Sequence, residues 1–142
     1  MVGSDDRTLT KAIHPIHGVL LAGMIPLFLG GLLSDIAYAK SYQIQWTNFA
    51  SWFIAGGNIF AGCALLWAII NLTRKYYRNG PSLVYTIALA ATLLLGFINS
   101  LIHGKDAWAS MPTGLVLSVV VVVLACVCTG IGFTKFGVGG GR

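Results

Sequence analysis

Hydrophobic positions in this chain are not spaced to line one face of a helix or strand. They run on, broken only where charges fall. Charge-free stretches cover Ala12–Ser34, Ser41–Thr73, Asn79–Ile102 and Ala107–Thr134. Each can hold the roughly 20 apolar residues that cross a ~30 Å hydrocarbon layer. Strands of a membrane barrel would instead alternate over about ten residues. Helices satisfy their own backbone hydrogen bonds, which lipid cannot do. The pattern predicts four transmembrane helices near 14–38, 49–72, 82–103 and 112–134.

The connections between these helices are short, so neighbours should run antiparallel in an up-down-up-down bundle. Asn79-Gly80-Pro81 is a turn signal, with Pro81 suited to the first helical position. Pro15 and Pro112 are placed to start the first and last helices. Pro26 lies inside the first helix, frees the carbonyl near Ala22 and predicts a kink. It reads either as a hinge or as an ordinary membrane-helix proline. Small residues recur at four-residue spacing: Ala88, Thr92, Gly96 and Ser100, then Gly57 and Ala61, then Gly18 with Ala22 and Gly30 with Ser34. Such stripes let helices approach closely, within the bundle or in a homo-oligomer. The run Val119–Val123 marks the last helix as the best candidate to face lipid.

Composition strengthens the membrane reading. The chain is 56% hydrophobic and 9% charged, against about 25% charged in a soluble domain. Its net charge of +5 forms no dense patch, so nucleic acid is not an expected partner and the lipid bilayer is. Arg7, Lys11, Arg74, Lys75, Arg78, Lys135 and Arg142 lie on one side of the predicted path, Lys40 and Lys105 on the other. The positive-inside rule then puts both termini and the 73–81 loop in the cytoplasm. Tyr38, Tyr42, Trp46, Trp52 and Trp108 gather at the outer boundary and Trp67, Tyr76 and Tyr77 at the inner one, as interfacial aromatics do. The polar start, with Asp5 and Asp6, lacks the form of a cleavable signal, so the first helix is expected to stay in place. The expected fold class is therefore an all-α membrane protein. One four-helix domain over 12–136 follows a polar segment 1–11 and precedes a flexible Gly-rich tail 137–142.

Chemistry-bearing residues are few, and an ionisable group inside a membrane is a functional candidate by default. The chain contains no Glu. His14 and His17 open the first helix on one face; Asp35 closes it. Asn99, His103 and Asp106, spaced four and three apart, share a face if the third helix continues. A carboxylate beside an imidazole can fix a tautomer or support a metal or quinone contact. The alternative is interfacial polar residues capping helix ends. His14 and His17 have no acidic or Cys partner in the same turn, so no metal site is assigned.

His17 and Asp35 are eighteen residues apart, about 27 Å along a helix, and His103 shares the end of Asp35. A haem bridged by His17 and His103 within one chain is thus disfavoured, while haem with another ligand or between subunits stays open. Cys63, Cys126 and Cys128 read as free thiols packing as small apolar groups. Nothing in the chain has the form of a phosphate loop, nucleophile elbow or dinucleotide fingerprint, so no catalytic residue is assigned and no enzymatic activity of its own is expected.

The segments HPIHGVLLAGMIPLFLGGLLSDIAY, QWTNFASWFIAGG and NSLIHGKDAWASMPTGLVLS together resemble the bacterial membrane proteins grouped as domain of unknown function 2231. The likeness covers about residues 12–134. It is carried by the opening H-P-x-H, the Asp closing the first helix and the H-x-x-D ending the third. The resemblance implies a multi-pass protein of the bacterial inner (cytoplasmic) membrane. It also implies a partnership with a periplasmic sugar- or sorbosone-type dehydrogenase, while the small-residue stripes allow another membrane subunit as partner. The first expectation is thus a redox partner with a quinone or haem contact at the outer polar cluster of Asp35, Asn99, His103 and Asp106, with His14 and His17 on the inner side as the other cofactor-binding candidates. The second is a cofactor-free structural or assembly subunit. A small transporter or channel ranks behind both, because at depth the second and last helices offer only Asn58, Ser118 and Thr129.

Overall fold

The computed structural model describes residues 13–74 and 80–136. The segments 1–12, 75–79 and 137–142 lie outside the described residues. With them go the polar N-terminal segment, Arg7, Lys11, Lys75, Tyr76, Tyr77, Arg78, Asn79 and the Gly-rich tail. The described residues form α1 (Pro15–Ser41), α2 (Ile44–Thr73), α3 (Gly80–His103), the one-turn α4 (Ala107–Ser110) and α5 (Thr113–Phe136). Among them there is no strand. Four helices are long and apolar enough to cross a membrane, with spans of 27, 30, 24 and 22 residues. At 1.5 Å per residue these are about 33–45 Å long, so each exceeds the hydrocarbon thickness and α1 and α2 have length to spare for tilt.

The helices pack as a ring in which α1 touches α2 and α5, and α3 touches α2 and α5. The parallel helices α1 and α3 therefore face each other across the bundle axis. The end that carries the last turns of α1 and α3 is called the outer end below.

Local chemistry explains the element ends. Pro15 begins α1, where its missing N–H costs no helical bond. Pro112 contributes the carbonyl that receives the Val116 amide at the start of α5. The connection from α1 to α2 is tighter than the expected 39–48 loop. Tyr42 adopts a left-handed conformation (φ 55°) and returns its N–H to the Tyr38 carbonyl at 2.8 Å. That reversal lets α2 start at Ile44, so Trp46 and Thr47 are helical. The chain stays α-helical through Pro26. Near that proline, the Thr129 hydroxyl of α5 is shared between the Ala125 carbonyl of its own helix at 2.8 Å and the Leu21 carbonyl of α1 at 3.1 Å.

Leu21, Met24, Phe28, Ile54, Tyr85, Leu89 and Val121 fill the core, with alanines of α2 and α5 between them. Phe28 sits on the axis because Gly57 makes room: a Cβ at Gly57 would lie 2.6 Å from the Phe28 ring. Small residues thus serve helix–helix seams within the bundle, as close approach in a membrane requires. Large apolar side chains on every long helix point outward, among them Val19, Leu66, Leu94 and Val123. The share of buried residues in α5 equals that in α2 and α3, so the Val-rich helix is no more lipid-facing than they are.

Candidate functional site

At the outer end, α1, α3 and α5 each contribute polar side chains to one buried network. Asp35, completely buried, accepts at both carboxyl oxygens. His103 Nε2 lies 2.7 Å from Oδ1, and the Ser118 hydroxyl donates to Oδ2 at 2.5 Å. The other imidazole nitrogen, His103 Nδ1, lies 2.9 Å from the Asn99 backbone carbonyl one turn back. Asn99 Nδ2 donates to the Ser118 hydroxyl oxygen at 2.9 Å. Gly114, at the start of α5, lets the helix lie against the imidazole, since a Cβ there would come within 2.8 Å of Cε1.

The directions of these bonds follow from one group. A backbone carbonyl only accepts, so His103 Nδ1 carries a hydrogen. Nε2 then faces Asp35 Oδ1 with a single proton between them, bound to one atom or the other. Either the pair is imidazolium and carboxylate, or it is neutral imidazole and carboxylic acid. Both states have zero net charge, which suits a site where an isolated charge is costly. With that proton on the His103 side of the carboxyl, Oδ2 is bare and receives the Ser118 hydrogen. The Ser118 oxygen in turn receives the Asn99 amide hydrogen. The series ends at Asn99 Oδ1, a fully buried acceptor with no hydrogen-bond partner among the described residues. Thr47 Oγ1 of α2 is a second buried polar atom without a partner at the same end.

A second bridge crosses the same diagonal at the inner end. His17 Nε2 lies 2.8 Å from the Tyr85 hydroxyl. The His17 ring stacks on Trp67 at 5.9 Å between centroids, and His14 packs on the same indole at 4.8 Å. His14 Nδ1 accepts from the Ile16 amide at 3.3 Å as the α1 cap. His17 Nδ1 is buried without a partner among the described residues.

Of the six candidate residues, Asp35, Asn99 and His103 thus meet in one network. His14 and His17 stand together about 27 Å away. Asp106 joins neither group. The helix closes at His103, where Gly104 N returns to Ser100 O and Lys105 N to Ile102 O. Asp106 is exposed at the N-cap of α4, without a side-chain cap bond. Ser118, Tyr85 and Trp67 complete the two clusters and were not singled out from sequence as partners. The usable signal was spacing: eighteen residues separate His17 from Asp35 on α1, and eighteen separate Tyr85 from His103 on α3. Parallel helices with matched spacings place both pairs level.

Donor chemistry tests the two cofactor classes. Both His103 nitrogens are engaged and His17 Nε2 is held by Tyr85, so of the three histidines only the exposed His14 keeps its Nε2 outside a hydrogen bond. No group of three or more His, Cys, Asp or Glu is arranged to hold a metal ion among the described residues. The three thiols are free, with Cys128 buried and its sulfur 3.4 Å from the Thr92 hydroxyl, and Cys63 and Cys126 exposed. The outer network fits a ligand that exchanges hydrogen bonds and protons.

Comparison with known proteins gives one result. No curated protein and no solved structure matches the chain. The model of the family described as "Predicted membrane protein (DUF2231)" matches residues 13–136. With nearly the whole chain covered, this four-helix membrane protein belongs to the DUF2231 family.

Proposed function

We propose that the Asp35–His103 pair is a proton-exchange site for a quinone-class ligand, in a bacterial inner-membrane protein that serves a periplasmic dehydrogenase. The observation that carries this reading is the buried 2.7 Å contact between His103 Nε2 and Asp35 Oδ1, which the bond directions deduced above fill with a single proton. Every other hydrogen in the network has a fixed owner. Reduction of a quinone consumes two electrons and two protons. In this reading the electrons come from the partner dehydrogenase, and the two protons pass through the pair in turn, the pair taking up a proton from water after each transfer. Ser118 holds the carboxyl in place, and the Asn99 carbonyl holds the imidazole tautomer.

The exposed aromatics at the same end support an outward-facing role. Trp108 is 81% exposed and stacks on the exposed Tyr42 at 5.9 Å, beside the turn that closes the bundle. The orientation rests on the distribution of basic residues. It is tested by placing single cysteines in a Cys-free background: an impermeant thiol reagent should label Asp106→Cys from outside and Arg142→Cys only after permeabilisation.

The functional test has two parts. Protein purified in mild detergent should carry an extractable isoprenoid quinone. In membranes, substrate-dependent quinone reduction by the partner dehydrogenase should fall at least about 100-fold in Asp35→Asn, the lower end of what general acid–base groups contribute. A quinone-free preparation, together with a full coupled rate in that variant, overturns the proposal. That outcome would favour a structural role, for which the bridging of three helices by one network is the supporting observation.

A further inference from the structure

The bond directions at the outer end constrain which form of ligand the site takes. Every donor in the network is spent: His103 Nδ1 on the Asn99 carbonyl, the shared proton within the Asp35–His103 pair, the Ser118 hydroxyl on Asp35, and Asn99 Nδ2 on Ser118. What is left is Asn99 Oδ1, fully buried and without a partner among the described residues. An amide oxygen only accepts. Ser118 fixes the amide, because turning it would set Nδ2 free and put two acceptors against the hydroxyl oxygen's single hydrogen, already committed to Asp35.

We infer that Asn99 Oδ1 is a ligand-binding acceptor selective for a hydroxyl, so that the site holds the reduced, hydroquinone form in preference to the quinone. The inference rests on the proposed quinone-class reading and adds the redox form. A quinone presents only carbonyl oxygens, which would face Asn99 Oδ1 acceptor to acceptor. A hydroquinone presents O–H groups, one of which completes the network. Sites built around a polar partner reject analogues lacking it strongly, because the buried group is then left unpaired.

The test compares matched probes on the full chain in mild detergent micelles, with empty micelles subtracted. A short-chain benzoquinol should bind at least about tenfold more tightly than the corresponding benzoquinone. Phenol should exceed anisole, which differs by loss of the donor hydrogen, in the same sense. Asn99→Leu should abolish both preferences. Ser118→Ala keeps the Asn99 amide but releases its orientation, so it can turn its NH2 outward and both ratios should fall toward one. The Ser118 variant keeps the test decisive if Asn99→Leu fails to fold.

Equal binding of quinol and quinone overturns the inference and leaves the quinone-class reading standing. If neither redox form binds, that reading falls, and the phenol–anisole pair alone decides whether Asn99 is a hydroxyl acceptor. A phenol preference that Ser118→Ala leaves unchanged also overturns the inference.

Discussion

Two substitutions at Asp35 separate the proton from the hydrogen bonds that hold it. In Asp35→Asn, the introduced amide oxygen can accept from Ser118 as Oδ2 does now. Its NH2 can donate to His103 Nε2 along the present 2.7 Å contact, because the Asn99 carbonyl keeps the hydrogen on Nδ1. The number of hydrogen bonds is unchanged, and a net-neutral pair is replaced by a neutral one. The expected stability change is within about 1 kcal/mol. Asp35→Ala instead strands His103 Nε2 and the Ser118 hydroxyl in a fully buried position. Each unpaired group costs about 1–3 kcal/mol, so the sum is about 2–6 kcal/mol before any void is counted. His103→Ala leaves the buried carboxyl without its main partner, a loss of about 3–5 kcal/mol. Unfolding of the purified protein in mixed micelles should therefore rank wild type and Asp35→Asn together, with both alanine variants well below. Infrared spectroscopy should show a deuterium-sensitive band of the hydrogen-bonded Asp35 carboxyl group in wild type, in either protonation state, and none in Asp35→Asn. If Asp35→Asn is as unstable as Asp35→Ala, the bond directions deduced from the Asn99 carbonyl are wrong.

At the inner end, Tyr85→Phe removes the hydroxyl facing His17 Nε2 and leaves both imidazole nitrogens buried without a partner. A loss of at least about 1–3 kcal/mol is expected in the same unfolding assay, with the infrared signature of the outer site unchanged; a coupled loss of that signature would show that the two ends are not independent. Gly57→Ala should cost about 1–3 kcal/mol by forcing Phe28 off the axis, because the new methyl would lie 2.6 Å from its ring. Gly130→Ala, which meets nothing within 4 Å, should be neutral or slightly stabilising; equal effects at the two glycines would contradict the packing described.

The spans were readable from sequence because lipid leaves the backbone no alternative to the helix, and charge punctuates the result. The outer site was partly readable for a related reason: Asp35 and His103 interrupt apolar runs, and an ionisable group at that depth needs a partner. Ser118 and Tyr85 were harder. A serine between Leu117 and Val119 looks like any small residue of a membrane helix, and a tyrosine five residues into α3 looks like an interfacial anchor. Only the third dimension shows that one faces Asp35 and the other His17. The Asp106 expectation depended on α3 continuing past His103. Gly104 instead closes the helix, and a one-turn offset moves the carboxylate to the surface. The same kind of local event, the left-handed Tyr42, shortened the first outer connection.

The two bridges also bear on direction. In a four-membered ring of helices, α1 and α3 are separated by the full width of the bundle, so side chains that join them must occupy its axis. His17 with Tyr85 does so at one end, and Asp35 with His103 at the other. Between them Leu21, Met24, Phe28 and Leu89 are buried to within 2% of completely, and Phe28 is pressed into the space left by Gly57. A proton leaving the Asp35–His103 bond toward the inner end would have to pass that apolar filling, where an unpaired charge is strongly disfavoured. Toward the outer end the buried residues include the hydroxyl-bearing Tyr38, Thr47 and Ser110. If the outer site exchanges protons, it therefore exchanges them with one side of the membrane. A bundle filled along its axis by apolar side chains, with polar bridges at its two ends, supports the proposal of chemistry at one membrane face.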